Sequence, residues 1–107
     1  NSKQTENPKV HRLGGLEVNE ETVEVTVDDK SVKVTPIEFK ILLLLIQNPG
    51  RVFPAEEIYE RVWNEPGFSV ENTVMVHIRH LREKMGDNRR KSDFIKTVWG
   101  VGYKVEK

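Results

Sequence analysis

The change of hydrophobic period at residue 35 constrains the fold of this chain more than any other feature. Thr35-Pro36-Ile37-Glu38 has the pattern of a capping box, in which the threonine hydroxyl accepts from the backbone N–H of Glu38 and the carboxylate bonds back. Pro36 occupies the first helical position, where no backbone donor is needed. A helix therefore begins here, and the chain before it must form another kind of structure.

Apolar and polar residues alternate with a period of two before residue 35, which is typical of strands with one buried face. Residues 28–31, with the sequence DDKS, separate the last two runs and predict a turn. Short antiparallel strands are therefore predicted between residues 10 and 34. Their apolar positions are Leu16, Val18, Val23, Val25, Val27, Val32 and Val34.

Three helices are predicted after this point. The first ends at Asn48-Pro49-Gly50 and is apolar around more than one face, so it lies at the centre of the core. The second opens at Pro54 with two acidic residues in its first turn, and the third runs from about Glu71 to Met85. In the first helix, Leu42, Leu43 and Ile46 are predicted to widen the apolar surface past the inner stripe. The predicted inward positions are Ile37, Ile41, Leu44 and Leu45 in the first helix, Ile58, Val62 and Trp63 in the second, and Val74, Ile78, Leu81 and Met85 in the third.

A hairpin is predicted at the end of the chain, where strand-like runs at 94–98 and 103–105 flank Gly100-Val101-Gly102. These glycines allow the positive φ of a tight turn. They do not form a phosphate loop, because a dinucleotide fingerprint needs a helix after it. The hairpin presents basic and aromatic residues that suit a minor-groove or phosphate contact, although Tyr103 is equally compatible with a core position. These residues are Lys96, Thr97, Trp99, Tyr103 and Lys104.

Composition excludes several classes of protein. A chain of 107 residues with 36% apolar residues predicts one small domain, and the absence of cysteine removes disulfides, thiolate metal sites and cysteine nucleophiles. The longest apolar run has six residues, far below the roughly 20 of a membrane helix. We expect no membrane segment and no secretory signal. Residues 1–8 are polar and predict a linker or tail, followed by a domain over residues 9–106.

The formal net charge is zero, which on its own argues against a nucleic-acid partner. The charge is nevertheless unevenly placed: residues 1–71 hold 8 Lys and Arg against 13 Asp and Glu, whereas residues 72–107 hold 9 against 4. A basic segment of this kind is either a solvated face or a phosphate-binding surface.

The outer face of the third helix favours the second interpretation. A helix of about 15 residues spans roughly 22 Å and fits a major groove about 12 Å wide. Arg79 can pair with a guanine edge or bind a phosphate, and apolar Met75 and Val76 can pack on a thymine methyl. His77, His80 and Glu83 do not make a convincing metal site, because a fourth ligand is missing from the pattern. The outer residues are Asn72, Met75, Val76, Arg79, His80 and Glu83, with Thr73, His77 and Arg82 on the flanks.

Five segments in this order resemble the winged-helix DNA-binding domain of OmpR/PhoB-type response regulators. The resemblance implies an α+β fold: a winged helix-turn-helix with an N-terminal four-stranded antiparallel sheet, a three-helix bundle and a C-terminal β-hairpin wing. The segments are RLGGLEVN (12–19), VTPIEFKILLLL (34–45), NPGRVFPAEEIYERVW (48–63), VENTVMVHIRHLREKMG (70–86) and IKTVWGVGYKVE (95–106).

The resemblance also implies a function without catalysis or a cofactor. Members of the family act in the bacterial cytoplasm, where a receiver domain phosphorylated by a histidine kinase promotes a homodimer on tandem half-sites of promoter DNA. The receiver domain is absent from this chain. The alternative is a winged helix that makes protein contacts with an acidic partner through its basic face, and an enzyme is a more distant third.

Carried over residue by residue, the resemblance divides the candidate site into four groups. Some members have Asp, Arg and Arg where this chain has Met75, His80 and Trp99, so a different base preference and a different wing contact are expected. The groups are base-facing Asn72, Met75, Val76, Arg79 and His80; backbone-facing Thr73, His77 and Arg82; the wing residues Lys96, Thr97, Trp99, Tyr103 and Lys104; and a loop that contacts RNA polymerase, Asn64, Glu65, Pro66, Gly67, Phe68 and Ser69.

Overall fold

The computed structural model describes residues 9–86 and 94–105, so the predicted tail at residues 1–8 and the end of the predicted domain at residue 106 lie outside it. The order of strands, three helices and hairpin is confirmed. The elements are β1 (Val10–Leu13), β2 (Leu16–Asn19), β3 (Glu24–Val27), β4 (Lys30–Val32), α1 (Pro36–Gln47), α2 (Ala55–Trp63), α3 (Glu71–Lys84), β5 (Ile95–Val98) and β6 (Gly102–Val105).

The first four strands form one antiparallel sheet in the order β1-β2-β3-β4. Leu16, Val18 and Val25 point to the same face and are fully buried, as the alternation predicts. This face packs on the helices, with α1 against β1. The sheet is therefore a base for the helices that carry the candidate site.

Three details of the sheet differ from the prediction, and the first is that Val34 lies outside the strands, because β4 ends at Val32. The turn between β3 and β4 contains only Asp28 and Asp29, whose φ angles of 51° and 68° are those of a two-residue hairpin turn. Lys30 and the following serine therefore belong to β4. Val23 also lies outside the strands: it has a φ of 57° and is 58% exposed, because the chain turns there before β3 begins.

The capping box is confirmed at the start of α1. The backbone N–H of Glu38 donates to the Thr35 hydroxyl at 3.2 Å, and the backbone N–H of Thr35 donates to the Glu38 carboxylate at 3.0 Å. The predicted inner stripe is only partly right, since Ile37 and Leu44 are half-buried. The helix is covered on two sides, by the sheet and by α2 and α3, so other residues share the core. The buried apolar residues of α1 are Phe39, Ile41, Leu42, Leu45 and Ile46.

Helices α2 and α3 pack on α1 and on each other. Ile58 and Val62 are buried as predicted, whereas Trp63 is half-buried and stacks on Tyr59 with ring centroids 4.6 Å apart. In α3 the predicted stripe is confirmed, and its last member, Met85, is the residue that caps the helix. The buried stripe of α3 consists of Val74, Ile78, Leu81 and Met85.

The wing, β5 with β6, is tied back to the connection between α1 and α2. Phe53 and Tyr103 exchange backbone hydrogen bonds at 2.8 and 2.9 Å, and Gly50 donates to Val105 at 2.8 Å. Because of this close approach, a Cβ on Gly102 would overlap the carbonyl oxygen of Phe53.

The two wing glycines therefore have different roles. Gly100 has the predicted positive φ, 80°. The prediction was wrong for Gly102, which has no positive φ and is a glycine because the backbone of Phe53 lies against it. Across the described residues, no helix has both the length and the apolar character needed to cross a bilayer.

Candidate nucleic-acid interface

The outer face of α3 lies opposite its buried stripe and is open to solvent. All five residues predicted to face bases are exposed, and Met75 and Val76 retain 44% and 41% of their surface. Adjacent apolar side chains left in water beside polar ones are typical of a binding surface. The five are Asn72, Met75, Val76, Arg79 and His80.

Arg79 is the most accessible cation of this face, with 72% of its side chain exposed. Its Nε lies 4.0 Å from the Glu83 carboxylate one turn further on, at the outer limit of an ion pair. An exposed pair at this distance contributes little to stability. The guanidinium can therefore leave Glu83 and bind an anion or a base edge at little cost.

His80 lies at the edge of the face, next to a buried carboxylate of α1. Its Nδ1 is 4.0 Å from Glu38, whose other oxygen accepts from the ammonium group of Lys84 at 2.7 Å. Burial raises the pKa of Glu38, but hydrogen bonds from Lys84 and from the Thr35 backbone, with the charges of Lys84 and His80, outweigh it and lower the pKa overall. Glu38 is thus an anion that ties the last turns of α3 to the start of α1.

The flank residues differ in accessibility. Thr73 is exposed, whereas His77 is half-buried with its ring 5.4 Å from that of Trp63 and tilted by 58°. Within the described chain no hydrogen-bond partner reaches the enclosed Nδ1 of His77. The predicted phosphate contact of His77 would therefore have to use the other ring nitrogen. In residues 9–86 and 94–105, no cluster of three or more metal-ligating side chains occurs.

Arg82, predicted to face the DNA backbone, turns toward the wing instead. Its guanidinium donates to the carbonyl of Ile95 and to the hydroxyl of Thr97. Thr97 was itself predicted to contact a phosphate. The structure brings these two residues together with their polar groups directed at each other.

The predicted DNA-contacting residues of the wing lie on its two faces and at its tip. Lys96 faces Lys104 and Thr97 faces Tyr103 across the two strands, so each pair shares a face. Thr97 and Tyr103 lie on the same side as the fully buried Ile95 and Val105, and Tyr103 packs against the core. The lysines are therefore on the outer face of the wing, where two like charges stand opposite each other.

The tip of the wing is apolar and projects into solvent. Trp99 is 89% exposed and Val101 is 54% exposed. Trp99 was predicted as a wing contact and Val101 was not, although the position of Val101 between two glycines of a hairpin turn was a sufficient signal. A tip of this kind presents an aromatic surface and no charge.

A cleft of about 350 Å³ separates the wing from the N-terminal ends of α2 and α3. Its walls carry the hydroxyl-bearing residues Thr97 and Tyr103 together with two carboxylates that were not among the predicted site residues, Glu56 and Glu71. The inner face of the wing, α2 and α3 thus meet at one edge of the domain.

The loop between α2 and α3 is held in place and projects one aromatic ring. The backbone N–H of Gly67 donates to Glu60 at 3.3 Å, and the hydroxyl of Tyr59 donates to Glu65 at 3.3 Å. Phe68, near the end of the loop, is 80% exposed. The loop predicted to touch RNA polymerase is therefore an ordered support for an exposed phenylalanine.

The sequence profile of the family described as "Transcriptional regulatory protein, C terminal" matches residues 29–105. Among curated relatives, the chain is 48% identical to the regulatory protein VanR of Enterococcus faecium over 105 residues, 97% of this chain and 45% of VanR. The chain thus spans a little less than half the length of this relative.

Solved structures give the same fold. The response regulator DrrB of Thermotoga maritima, an OmpR/PhoB homologue, matches with a TM-score of 0.81 and 29% identity over 92% of this chain and 45% of DrrB. The DNA-binding domain of the response regulator AdeR, solved in complex with an intercistronic region, matches with a TM-score of 0.75 and 25% identity over 90% of this chain and 98% of the AdeR domain. The family consists of transcription regulators and is not a class of enzymes. With its sheet, its three helices and its wing, the chain belongs to this family, the winged-helix C-terminal domains of OmpR/PhoB-type response regulators.

Proposed function

We propose that this domain binds double-stranded promoter DNA as the effector domain of a response regulator, with α3 in the major groove. The observation that carries the proposal is the outer face of α3, where the exposed Arg79 stands beside the exposed apolar Met75 and Val76. A helix that binds in the major groove needs positive charge for phosphate or guanine and apolar surface for a thymine methyl. The AdeR domain, which has this fold, was solved with DNA.

The dimensions of α3 suit this role. Its 14 residues span about 21 Å at 1.5 Å per residue, and the major groove is about 12 Å wide, so several turns can lie in it. In this arrangement Asn72 and His80 accompany Arg79 toward base edges, whereas Thr73 and the outer nitrogen of His77 face phosphates. The lysines on the outer face of the wing, Lys96 and Lys104, add positive charge beside the groove.

Trp99 is the exposed tip of the wing, the part of the domain that we propose to meet the minor groove. An indole has no charge for such a groove, but its face can pack on sugars. The proposed wing contact is therefore apolar, and it depends less on salt than an arginine contact would.

The loop at residues 64–69 is proposed as a contact to RNA polymerase. Support comes from Phe68, which is 80% exposed on a loop that hydrogen bonds to α2 hold in shape. A large exposed aromatic ring is typical of a protein-binding hot spot. The acidic balance of residues 1–71 fits a protein contact better than a DNA contact on this side.

The remaining partners are proposed from the family. We propose that the complete regulator also carries a receiver domain phosphorylated by a histidine kinase, as the response-regulator family implies. VanR is more than twice as long as the segment matched here, which leaves room for such a domain. We propose that two such domains bind tandem half-sites as a homodimer in the bacterial cytoplasm. The acidic side of one copy can lie near the basic side of the next.

Selection of bound sequences from random duplexes, at a stated salt concentration, tests the proposed function. We expect enrichment of a motif that occurs as a tandem repeat at about one helical turn. Arg79→Ala is the matched variant, since it should abolish enrichment at one or two positions of the motif. No enrichment by the unsubstituted chain would overturn the proposal and favour a protein-contact module.

A further inference from the structure

Arg82 connects α3 to the wing through three hydrogen bonds. Its Nε and Nη2 both donate to the carbonyl oxygen of Ile95, at 3.2 and 2.9 Å, and Nη2 also donates to the hydroxyl of Thr97 at 2.7 Å. Both acceptors belong to β5. A planar guanidinium has the fixed fork of donors that such a contact needs.

The accepting carbonyl lies on the outer edge of the wing. The carbonyl of Val105 accepts from the backbone N–H of Gly50, on the side of β6 away from β5. Facing residues of an antiparallel pair alternate between bonded and non-bonded pairs. The carbonyl of Ile95, the residue that faces Val105, is therefore directed away from β6 and toward α3.

We propose that Arg82 is a positioning residue, which fixes the angle between α3 and the wing and does not bind a DNA phosphate itself. The proposal rests on the proposed function, because the angle matters only if both elements meet DNA. Arg82 is half-buried, and its guanidinium makes three hydrogen bonds to acceptors inside the domain. Held in this way, the outer face of α3 and the tip at Trp99 reach neighbouring grooves as one rigid unit.

A lysine substitution at residue 82 distinguishes a positioning role from a direct phosphate contact. Arg82→Lys keeps the positive charge and can still bind a phosphate as a point charge. It lacks the planar fork, so it cannot donate twice to one carbonyl and at the same time to a hydroxyl. Thr97→Val and Thr97→Ser form the matched pair on the wing, since only serine keeps the acceptor oxygen.

The test compares Kd values for two duplexes built on the selected motif, one complete and one that ends before the minor groove under the wing. We expect Arg82→Lys and Arg82→Ala to bind the complete duplex about tenfold more weakly than the unsubstituted chain. On the shortened duplex the two variants and the unsubstituted chain should have the same Kd. Thr97→Val should weaken binding in the same selective way, and adding it to Arg82→Lys should bring little further loss.

Other results overturn the proposal. If Arg82→Lys binds both duplexes as well as the unsubstituted chain while Arg82→Ala loses affinity for both, Arg82 contacts a phosphate. Equal losses on the two duplexes, or additive losses with Thr97→Val, also exclude action through the wing. If the unsubstituted chain binds neither duplex, the proposed function itself fails and this inference with it.

Discussion

The N-terminal region (residues 10–47, the sheet and α1) and the C-terminal region (residues 71–84 and 95–105, α3 and the wing) combine similar elements but use their side chains differently. In the N-terminal region, polar side chains pair locally, as the ring of His11 does with the carboxylate of Glu20 and Arg12 with Glu17. In the C-terminal region, Arg79 and Trp99 extend into solvent. Both regions are folded on one core, so the two surfaces differ in the side chains that they expose and not in the core that supports them.

The largest expected effect contrasts one glycine from each region. Gly102→Ala places a methyl group on the carbonyl oxygen of Phe53, and because that oxygen belongs to the backbone we expect a loss of about 3 kcal/mol in the free energy of unfolding. Gly15→Ala would overlap only the carboxylate end of Asp28, which can rotate away, since the Asp28 backbone nitrogen is at an ordinary contact distance of 3.6 Å, and it should cost less than about 1 kcal/mol. Urea denaturation measures both, and equal losses would contradict the contrast.

Two exposed arginines give the next largest contrast. Arg79→Ala should weaken binding to the selected DNA motif by about 2 kcal/mol, with a much smaller loss on random duplex, if it reads a base. Arg12→Ala, which removes a 62% exposed arginine of the sheet, should leave both affinities unchanged. Fluorescence anisotropy on the two duplexes measures the difference. Equal losses for Arg79→Ala on both would assign that residue to phosphate.

Glu38 connects the two regions and makes their packing sensitive to acid. Because its pKa is lowered from the ordinary value of 4.5 in the folded state, its contribution is present above that value and is lost as the pH falls through the folded pKa. Glu38→Gln should cost about 1 kcal/mol near neutral pH, and the difference from the unsubstituted chain should shrink on acidification.

The control for this prediction is Glu17→Gln, which removes an exposed carboxylate of the sheet, 3.2 Å from Arg12. An exposed pair contributes little, so its unfolding curve should follow that of the unsubstituted chain at each pH. Thermal unfolding between pH 3 and pH 7 provides the curves. A Glu38→Gln deficit that stays constant with pH would show that the carboxylate charge is not the cause.

The smallest contrast compares two exposed apolar residues. Trp99→Ala and Val23→Ala should each change the free energy of unfolding by less than about 0.5 kcal/mol, since both side chains are mostly in solvent. Only Trp99→Ala should weaken DNA binding, by about threefold, through loss of packing on the sugar backbone. Unchanged affinity would remove Trp99 from the proposed interface.

The parts of the fold that depend on neighbouring residues were predictable from the sequence. The capping box at Thr35 and Glu38 and the buried stripe from Val74 to Met85 follow from spacings of three and four residues. The exposure of the outer face of α3 follows from the same periodicity. Its role in binding DNA stays a prediction for each residue.

Features that depend on distant segments were not predictable. Arg82 was assigned to the open flank of α3 by its helical angle, but β5 packs there and supplies acceptors 13 and 15 residues further along the chain. His80 likewise meets the carboxylate of Glu38, a residue of α1. Gly102 was assigned to turn geometry because Phe53, which is fully buried and occupies the space beside it, is far away in sequence.

The bridge between Phe53 and Tyr103 bears on how the domain is made. Its two residues are fifty positions apart, whereas the strands of the N-terminal sheet pair through short turns. Local pairs form faster than distant ones because they close smaller loops. On a ribosome, the local strand pairs of the sheet can form while the chain is still growing, but the wing has to wait for residues 102–105. The surface proposed to meet DNA, which includes the wing, is therefore the last part of the domain to be completed.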